Sequence, residues 1–334
     1  MAEEALHPVC SRGRDALRPT QITTRGWRDV LLRVWQQVSE DNVGLISAGV
    51  AFYALLAIFP ALGALVSIYG LVADPTEAGL YIAEFPAIPA DVRVLVAEQL
   101  RRIATSSGSA LGWGLLGSLL LSIYSASRGI NALISALNIA YEEHDHRGLI
   151  HRKLLSFGFT VGAIVLGAVA LAIVVAAPVA LQWLPLGAVV SRALTALPWI
   201  LLAGGFLSGI CLLYRYAPNR RPAQWRWVTP GSVLATVLWL GASVGLSTYV
   251  GRFGDYNEVY GSVGAVVVLL LWFYLTAYIV VLGGELNAEL EHQTRRDTTR
   301  GPERAMGERG AYVADTLGEI PPGPWKGDVE PDDA

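Results

Sequence analysis

Long stretches with no charged residue alternate along this chain with short segments dense in arginine. A helix crosses the ~30 Å hydrocarbon layer of a membrane in about 20 residues, and six charge-free runs reach that length: 42–73, 103–127, 154–191, 193–214, 227–251 and 259–284. The third run is too long for one crossing and contains Pro178 and Pro185. Proline removes a backbone donor and clashes with the preceding turn, so the expected span is 155–177, followed by a break. The pattern predicts an all-α, polytopic membrane protein of six transmembrane helices.

The flanking segments carry a different periodicity. In residues 25–41, Trp27, Val30, Leu31, Val34, Trp35 and Val38 recur at helical spacing while Arg25, Arg28 and Arg33 lie off that stripe, which predicts an amphipathic helix lying on the membrane surface or packed on the bundle. A second amphipathic helix is expected over 88–104, outside the membrane. Residues 1–24 and 292–334 are polar and lack apolar periodicity, so both are expected to be disordered. The membrane domain then occupies 42–291.

Composition agrees with this reading. Apolar residues make up 53% of the 334 and charged residues 16%, with mean hydropathy +0.44, values unsuited to a surface exposed to water on all sides. Only two of the 25 basic residues are lysines and the net charge is -3, which leaves no basic field for nucleic acid. Cys10 and Cys211 lie in a polar segment and an apolar run, so no structural disulfide is expected. Residues 1–41 hold no apolar core of a signal peptide, and the first long run is expected to be retained as a span. Segments 1–41, 135–153, 214–226 and the tail after Glu285 hold 19 basic residues against 5 in the other three loops. Basic residues resist translocation, so both termini are expected in the cytoplasm.

Four stretches carry a resemblance: "LISAGVAFYALLAIFPALGALVSIYG", "YSASRGINALISALNIAYEE", "LYRYAPNRRPAQWRWVTPGSVLATVLW" and "FGDYNEVYGSVGAVVVLLLWFYLTAYIVVLGGELNAELE". In order and spacing, over roughly residues 25–291, the chain resembles the YihY/BrkB family of bacterial inner-membrane proteins. The resemblance implies an all-helical protein of six spans. Family members have carried the label ribonuclease BN, have been linked to virulence and serum resistance, and have been connected with movement of lipid or other envelope components.

The residues weigh these activities differently. Phosphodiester hydrolysis usually needs metals held by clustered His and carboxylates. Here only "EEHDHRGLIHR", with His144, Asp145, His146 and His151, offers candidates, and its spacing does not match the HxHxDH metal signature of tRNA-processing metallo-hydrolases. A solvated loop accounts for it equally well. No nucleophile elbow and no nucleotide-binding GxxxxGK loop is present, so the chain reads as neither an enzyme nor an ATP user, and no cofactor or metal is expected.

Transport needs interrupted helices and a few polar groups inside the bundle. Pro60 lies in the first span and is expected to kink it. Asn257 and Tyr260 lie in a short outer loop that reads either as a turn or as a gate. Arg128 in span two and Glu285 at the end of span six reach similar depths, about 25 and 33 Å along their helices at 1.5 Å per residue, so the two are expected to pair as an inner latch. Glu289, one turn on, is expected in water. Arg215, Arg220, Arg221 and Arg226, beside Trp225 and Trp227, form a candidate contact for lipid headgroups. The expected function is movement of a lipid or envelope component, with membrane lipids as partners and no nucleic acid. The alternative is a scaffold or regulator of envelope assembly, acting through an assembly partner or as a homo-oligomer.

Overall fold

A computed structural model describes residues 12–72, 108–182, 188–252 and 256–321. Its long helices are α1 (Thr24–Glu40), α2 (Val43–Val72), α3 (Gly108–Ala140), α4 (Leu149–Gln182), α5 (Ala188–Tyr216), α6 (Trp225–Arg252) and α7 (Tyr256–His292), with a short α8 (Tyr312–Asp315). The fold is all-α. The helix expected over 88–104 lies outside the described residues.

Among the described residues, four segments are long and apolar enough to cross a membrane: Leu149–Val169, Trp199–Tyr216, Trp225–Val250 and Gly264–His292. The α1–α2 pair, bent by 61° at its break, makes a fifth if counted as one span. The expected six is therefore not reached among these residues. Several helix limits also differ from the charge-free runs. Helix α3 continues 12 residues past Arg128, because a single arginine is a good helix former and does not end a helix. Helix α4 runs through Pro178 to Gln182, and Tyr256–Ser262, expected as a loop, belongs to the start of α7.

Helix α7 is the hub, in contact with α1, α2, α3, α6 and α8. Its crossing with α6 is backbone-close. A Cβ added to Gly231 would sit 2.0 Å from the carbonyl oxygen of Gly283, and one on Gly283 would sit 2.4 Å from the Tyr214 hydroxyl. Pro230 removes one donor from the first turns of α6. Asn287, fully buried, compensates: its Oδ1 accepts from the Gly231 N–H at 2.8 Å and its Nδ2 donates to the Val228 carbonyl at 3.0 Å. Tyr214 donates to the Val280 carbonyl at 2.5 Å, fixing α5 on α7. Ile134, Leu137, Leu213, Val228 and Val280 fill the space between these helices.

Both segments expected to be disordered are folded where they are described. Residues 12–23 and 293–321 wrap one end of the bundle as a polar cap. Thr294 Oγ1 donates to the Ala16 carbonyl at 2.7 Å, Gln293 Nε2 to the Arg12 carbonyl at 3.0 Å, and Arg14 Nη2 to the Gly318 carbonyl at 2.7 Å. Arg309 donates to the carbonyls of Arg295, Arg304 and Ala314. Guanidinium-to-carbonyl bonds hold this cap, and they leave no apolar periodicity in the sequence.

Asn287 and Gly231 should therefore be intolerant of small changes. Asn287→Ala removes the side-chain acceptor of the buried Gly231 N–H, while the Val228 carbonyl keeps the Ser232 hydroxyl, and is expected to cost on the order of 1–2 kcal/mol. Gly231→Ala drives a methyl into backbone and should cost more. Thermal unfolding in detergent reads both; a wild-type midpoint in Gly231→Ala would show that the two helices can part at no cost.

Candidate functional site

Helices α2 and α3 pack closely, with Gly129 against Tyr53 and Ser122 Oγ donating to the Ala57 carbonyl. Beside that contact they leave an open groove of about 520 Å³, lined by Ile46, Gly49 and Tyr53 of α2 and by Arg128, Asn131, Ser135 and Ile139 of α3. These positions recur every three or four residues, so each helix presents one face to the groove. A Cβ added to Gly49 would meet nothing within 4 Å. Gly49 therefore faces the open space of the groove.

Arg128 is exposed in this groove. Its guanidinium lies 5.6 Å from the Tyr53 ring centroid and 5.8 Å from that of Tyr124, and Nη1 lies 3.5 Å from the Tyr124 hydroxyl. Among the described residues no carboxylate pairs with it. One turn further along, Arg152 of α4 donates to Asn131 Oδ1 at 2.8 Å and to Ser135 Oγ at 2.7 Å. The groove thus combines one free cation, aromatic walls and a polar rim.

Glu285 does not meet Arg128, so the expected latch is overturned. The carboxyl of Glu285 is 1% exposed and lies beside that of Asp41, at the break between α1 and α2. Its Oε1 has no partner among the described residues. Two carboxyls can share a hydrogen bond only if one of them keeps a proton. The latch fails because Arg128 faces α2 across the groove, beside Tyr53, whereas Glu285 faces Asp41. Glu289 is buried, not in water: it forms an ion pair with Arg33 of α1, with His292 Nδ1 at 3.6 Å.

The four arginines of the expected headgroup cluster separate into different roles. Arg220 Nη2 pairs with Glu291 at 2.6 Å, both side chains fully buried. Arg226 is exposed and bonds Gln224. Arg221 lies against the cap at Gly301. Arg215 stacks on Trp225, 4.1 Å from its ring centroid. Pro60 is carried inside α2 and does not line the groove. The backbones of Asn257 and Tyr260 lie in the first turns of α7, and their side chains fall outside the described residues.

The histidine loop between α3 and α4 is pinned by Arg147, which donates to Asn219 Oδ1 at 3.0 Å and to the Ala217 carbonyl at 2.8 Å. The rings of His144 and His146 stack with centroids 6.2 Å apart. Among the described residues no three His, Cys, Asp or Glu side chains converge as a metal would require.

Asp41 makes the carboxyl pair testable. Burial pushes its pKa up and the carboxylates of Glu142, Glu40 and Glu289 push the same way, against the opposing hydrogen bond with Glu285. A raised pKa means that the folded state holds the proton more tightly. Its contribution to stability is complete below the unfolded value of about 3.9 and is lost as the pH rises through the folded value. Thermal stability of Asp41→Asn is therefore expected to decline less than that of the wild type as the pH rises from about 4 to neutrality; parallel profiles would rule out a shared proton.

The groove and cap can be set against known proteins. A family model described as "Virulence factor BrkB" matches residues 34–308. A ribonuclease-like protein of Bacillus subtilis (strain 168), YfkH, is 30% identical over 253 residues, 75% of this chain and 90% of that protein. The membrane protein RC1_0578 of Rhodospirillum centenum, of the UPF0761 group, is 26% identical over 296 residues, 86% of this chain and 62% of its own length. A UPF0761 membrane protein of Vibrio atlanticus is 27% identical over 266 residues, 77% of this chain and 80% of its own. No solved structure matches the chain. With the family model spanning the bundle from α1 into the cap, this all-helical membrane protein belongs to the BrkB family.

Proposed function

We propose that the α2–α3 groove receives the anionic headgroup of a membrane lipid, and that the protein moves, or helps to move, a lipid or another envelope component across the bacterial inner membrane with its polar cap in the cytoplasm. One observation carries the reading: Arg128 stands exposed in the groove with no carboxylate among the described residues. An arginine within an apolar span costs roughly 2.5–3.5 kcal/mol at the centre of a membrane and less near its edge, so it is retained where an anion visits it. A lipid phosphate meets that demand through paired N–H donors. Tyr53 and Tyr124 offer the guanidinium aromatic faces when no headgroup is present. The acyl chains would remain in the bilayer beside Ile46 and Ile139, at the apolar ends of the groove.

In this reading the protein is not an enzyme. The ribonuclease-like label belongs to the Bacillus relative, and the proposed site offers a cation, aromatic rings and amide and hydroxyl groups suited to holding an anion. Movement of a headgroup then follows a gradient or a partner protein.

Reconstitution into liposomes containing fluorescent phospholipids tests the proposal. The wild type is expected to accelerate lipid exchange between leaflets. Arg128→Ala is expected to slow it about tenfold, the loss of one charged hydrogen-bonding partner, while unfolding at the wild-type temperature because the side chain is exposed. Gly49→Phe should block the groove with the same result. Exchange no faster than in empty liposomes, or equally fast in both variants, would overturn it.

A further inference from the structure

Arg215 lies apart from the groove, in the last turn of α5. It is 4% exposed, and its Nε and Nη1 groups are buried with no hydrogen-bond partner among the described residues. A buried guanidinium without an anion is costly, since desolvation is not offset by pairing. No acceptor of the described residues is bonded to its Nε or Nη1. The carbonyls of Ala217 and Pro218, which follow α5, accept from Arg147, and Glu291 pairs with Arg220. Arg215 therefore does not serve as the cap of its helix. Arg220 and Arg221 each also keep one buried N–H without a partner, so the connection between α5 and α6 carries surplus positive potential.

The aromatic residues at Arg215 place it relative to the membrane. Trp225, stacked 4.1 Å from the guanidinium, is the first residue of the candidate span Trp225–Val250 and is 49% exposed. Tyr216, with its ring centroid 5.5 Å away, is the last residue of the span Trp199–Tyr216 and is also exposed. Tryptophan and tyrosine at the ends of spans sit at the level of lipid headgroups, where phosphate groups are concentrated. A guanidinium held flat by an aromatic ring presents its remaining donors edge-on, in the geometry that suits phosphate oxygens.

We propose that Arg215, stacked on Trp225, is a binding site for a phosphate group, supplied by a phospholipid headgroup at the polar end of the bundle. It is distinct from the Arg128 groove and stands whether or not that groove moves lipid. Its consequence is anchoring: a bound headgroup would tie the α5–α6 connection to the membrane surface and complete the charge balance of the cap.

The test uses the full-length protein in neutral detergent, titrated with phosphatidylglycerol, with diacylglycerol, and with inorganic phosphate in separate arms, reading the thermal midpoint and, by native mass spectrometry, retained lipid. Phosphatidylglycerol is expected to raise the midpoint and leave a retained lipid, and diacylglycerol, which lacks the phosphate, to do neither. Arg215→Ala should weaken the apparent affinity about tenfold or more. Should that variant fail to fold, Arg215→Lys carries the test, because it keeps the charge but loses the planar stack, and a clear weakening is still expected. Arg226→Ala should bind as the wild type does, since Arg226 is exposed and bonded to Gln224. Wild-type affinity in Arg215→Lys, or equal losses in Arg226→Ala and Arg215→Ala, would reduce the effect to general surface attraction and overturn the proposal. Protection by inorganic phosphate as strong as by lipid, and dependent on Arg215, would overturn the lipid source and assign the site to a soluble phosphate.

Discussion

Burial of carboxylates at the end of α7 is the constraint on which the rest of the structure depends. Glu285, Glu289 and Glu291 follow directly on an apolar helix and all three are buried. A carboxylate taken out of water must acquire a cation, a proton or several donors. Two of the three meet that demand from different parts of the chain, Glu289 from Arg33 of α1 and Glu291 from Arg220 in the α5–α6 connection and from Thr298 of the cap, while Glu285 lies beside Asp41 at the α1–α2 break. These requirements bring α1, the arginine-rich connection and the cap segment at Thr298 onto the last turns of α7. Asn287, between them in sequence, lies on the opposite side of α7 from Glu285 and Glu289 and bonds the backbone of α6 at Val228 and Gly231.

The same arrangement separates the arginines into two kinds. Arg33 and Arg220 are consumed in holding the fold, and their removal would strand a buried carboxylate. Arg128 and Arg215 have no carboxylate partner among the described residues, and both rest on aromatic rings. Arg128 is open to the groove between α2 and α3, whereas Arg215 is buried beside residues at the ends of two spans. Structural charge and available charge are thus distinguished by partners, a difference that composition does not reveal.

Much of the architecture was legible in the sequence because burial in lipid leaves a strong signature: long charge-free runs located the main helices, and the stripe from Trp27 to Val38 located α1. Gly283, in the last charge-free run, makes the close contact with α6. Run ends were poor guides to helix ends, since Arg128 interrupts the hydropathy of α3 without interrupting its hydrogen bonds. The cap was missed because it is held by arginines donating to backbone carbonyls, which depend on geometry alone. For the site, the sequence singled out Arg128 and Arg215 but gave Arg128 the wrong partner. Depth along a helix can be counted from residues, whereas the direction a side chain faces depends on which helix lies beside it. Tyr124, Asn131 and Ser135 follow Arg128's face at helical spacing and could have marked the groove; Gly49 and Tyr53 gave no signal before α2 was known to pack on α3.

The claim that Arg128 is reserved for an anion from outside the protein is tested most directly by an experimental structure of the full chain in nanodiscs containing phosphatidylglycerol. Density for a phosphate group within hydrogen-bonding distance of the Arg128 guanidinium, between Tyr53 and Tyr124, is the predicted result. A carboxylate of the protein in that position, or Arg128 folded away from the groove, would contradict it.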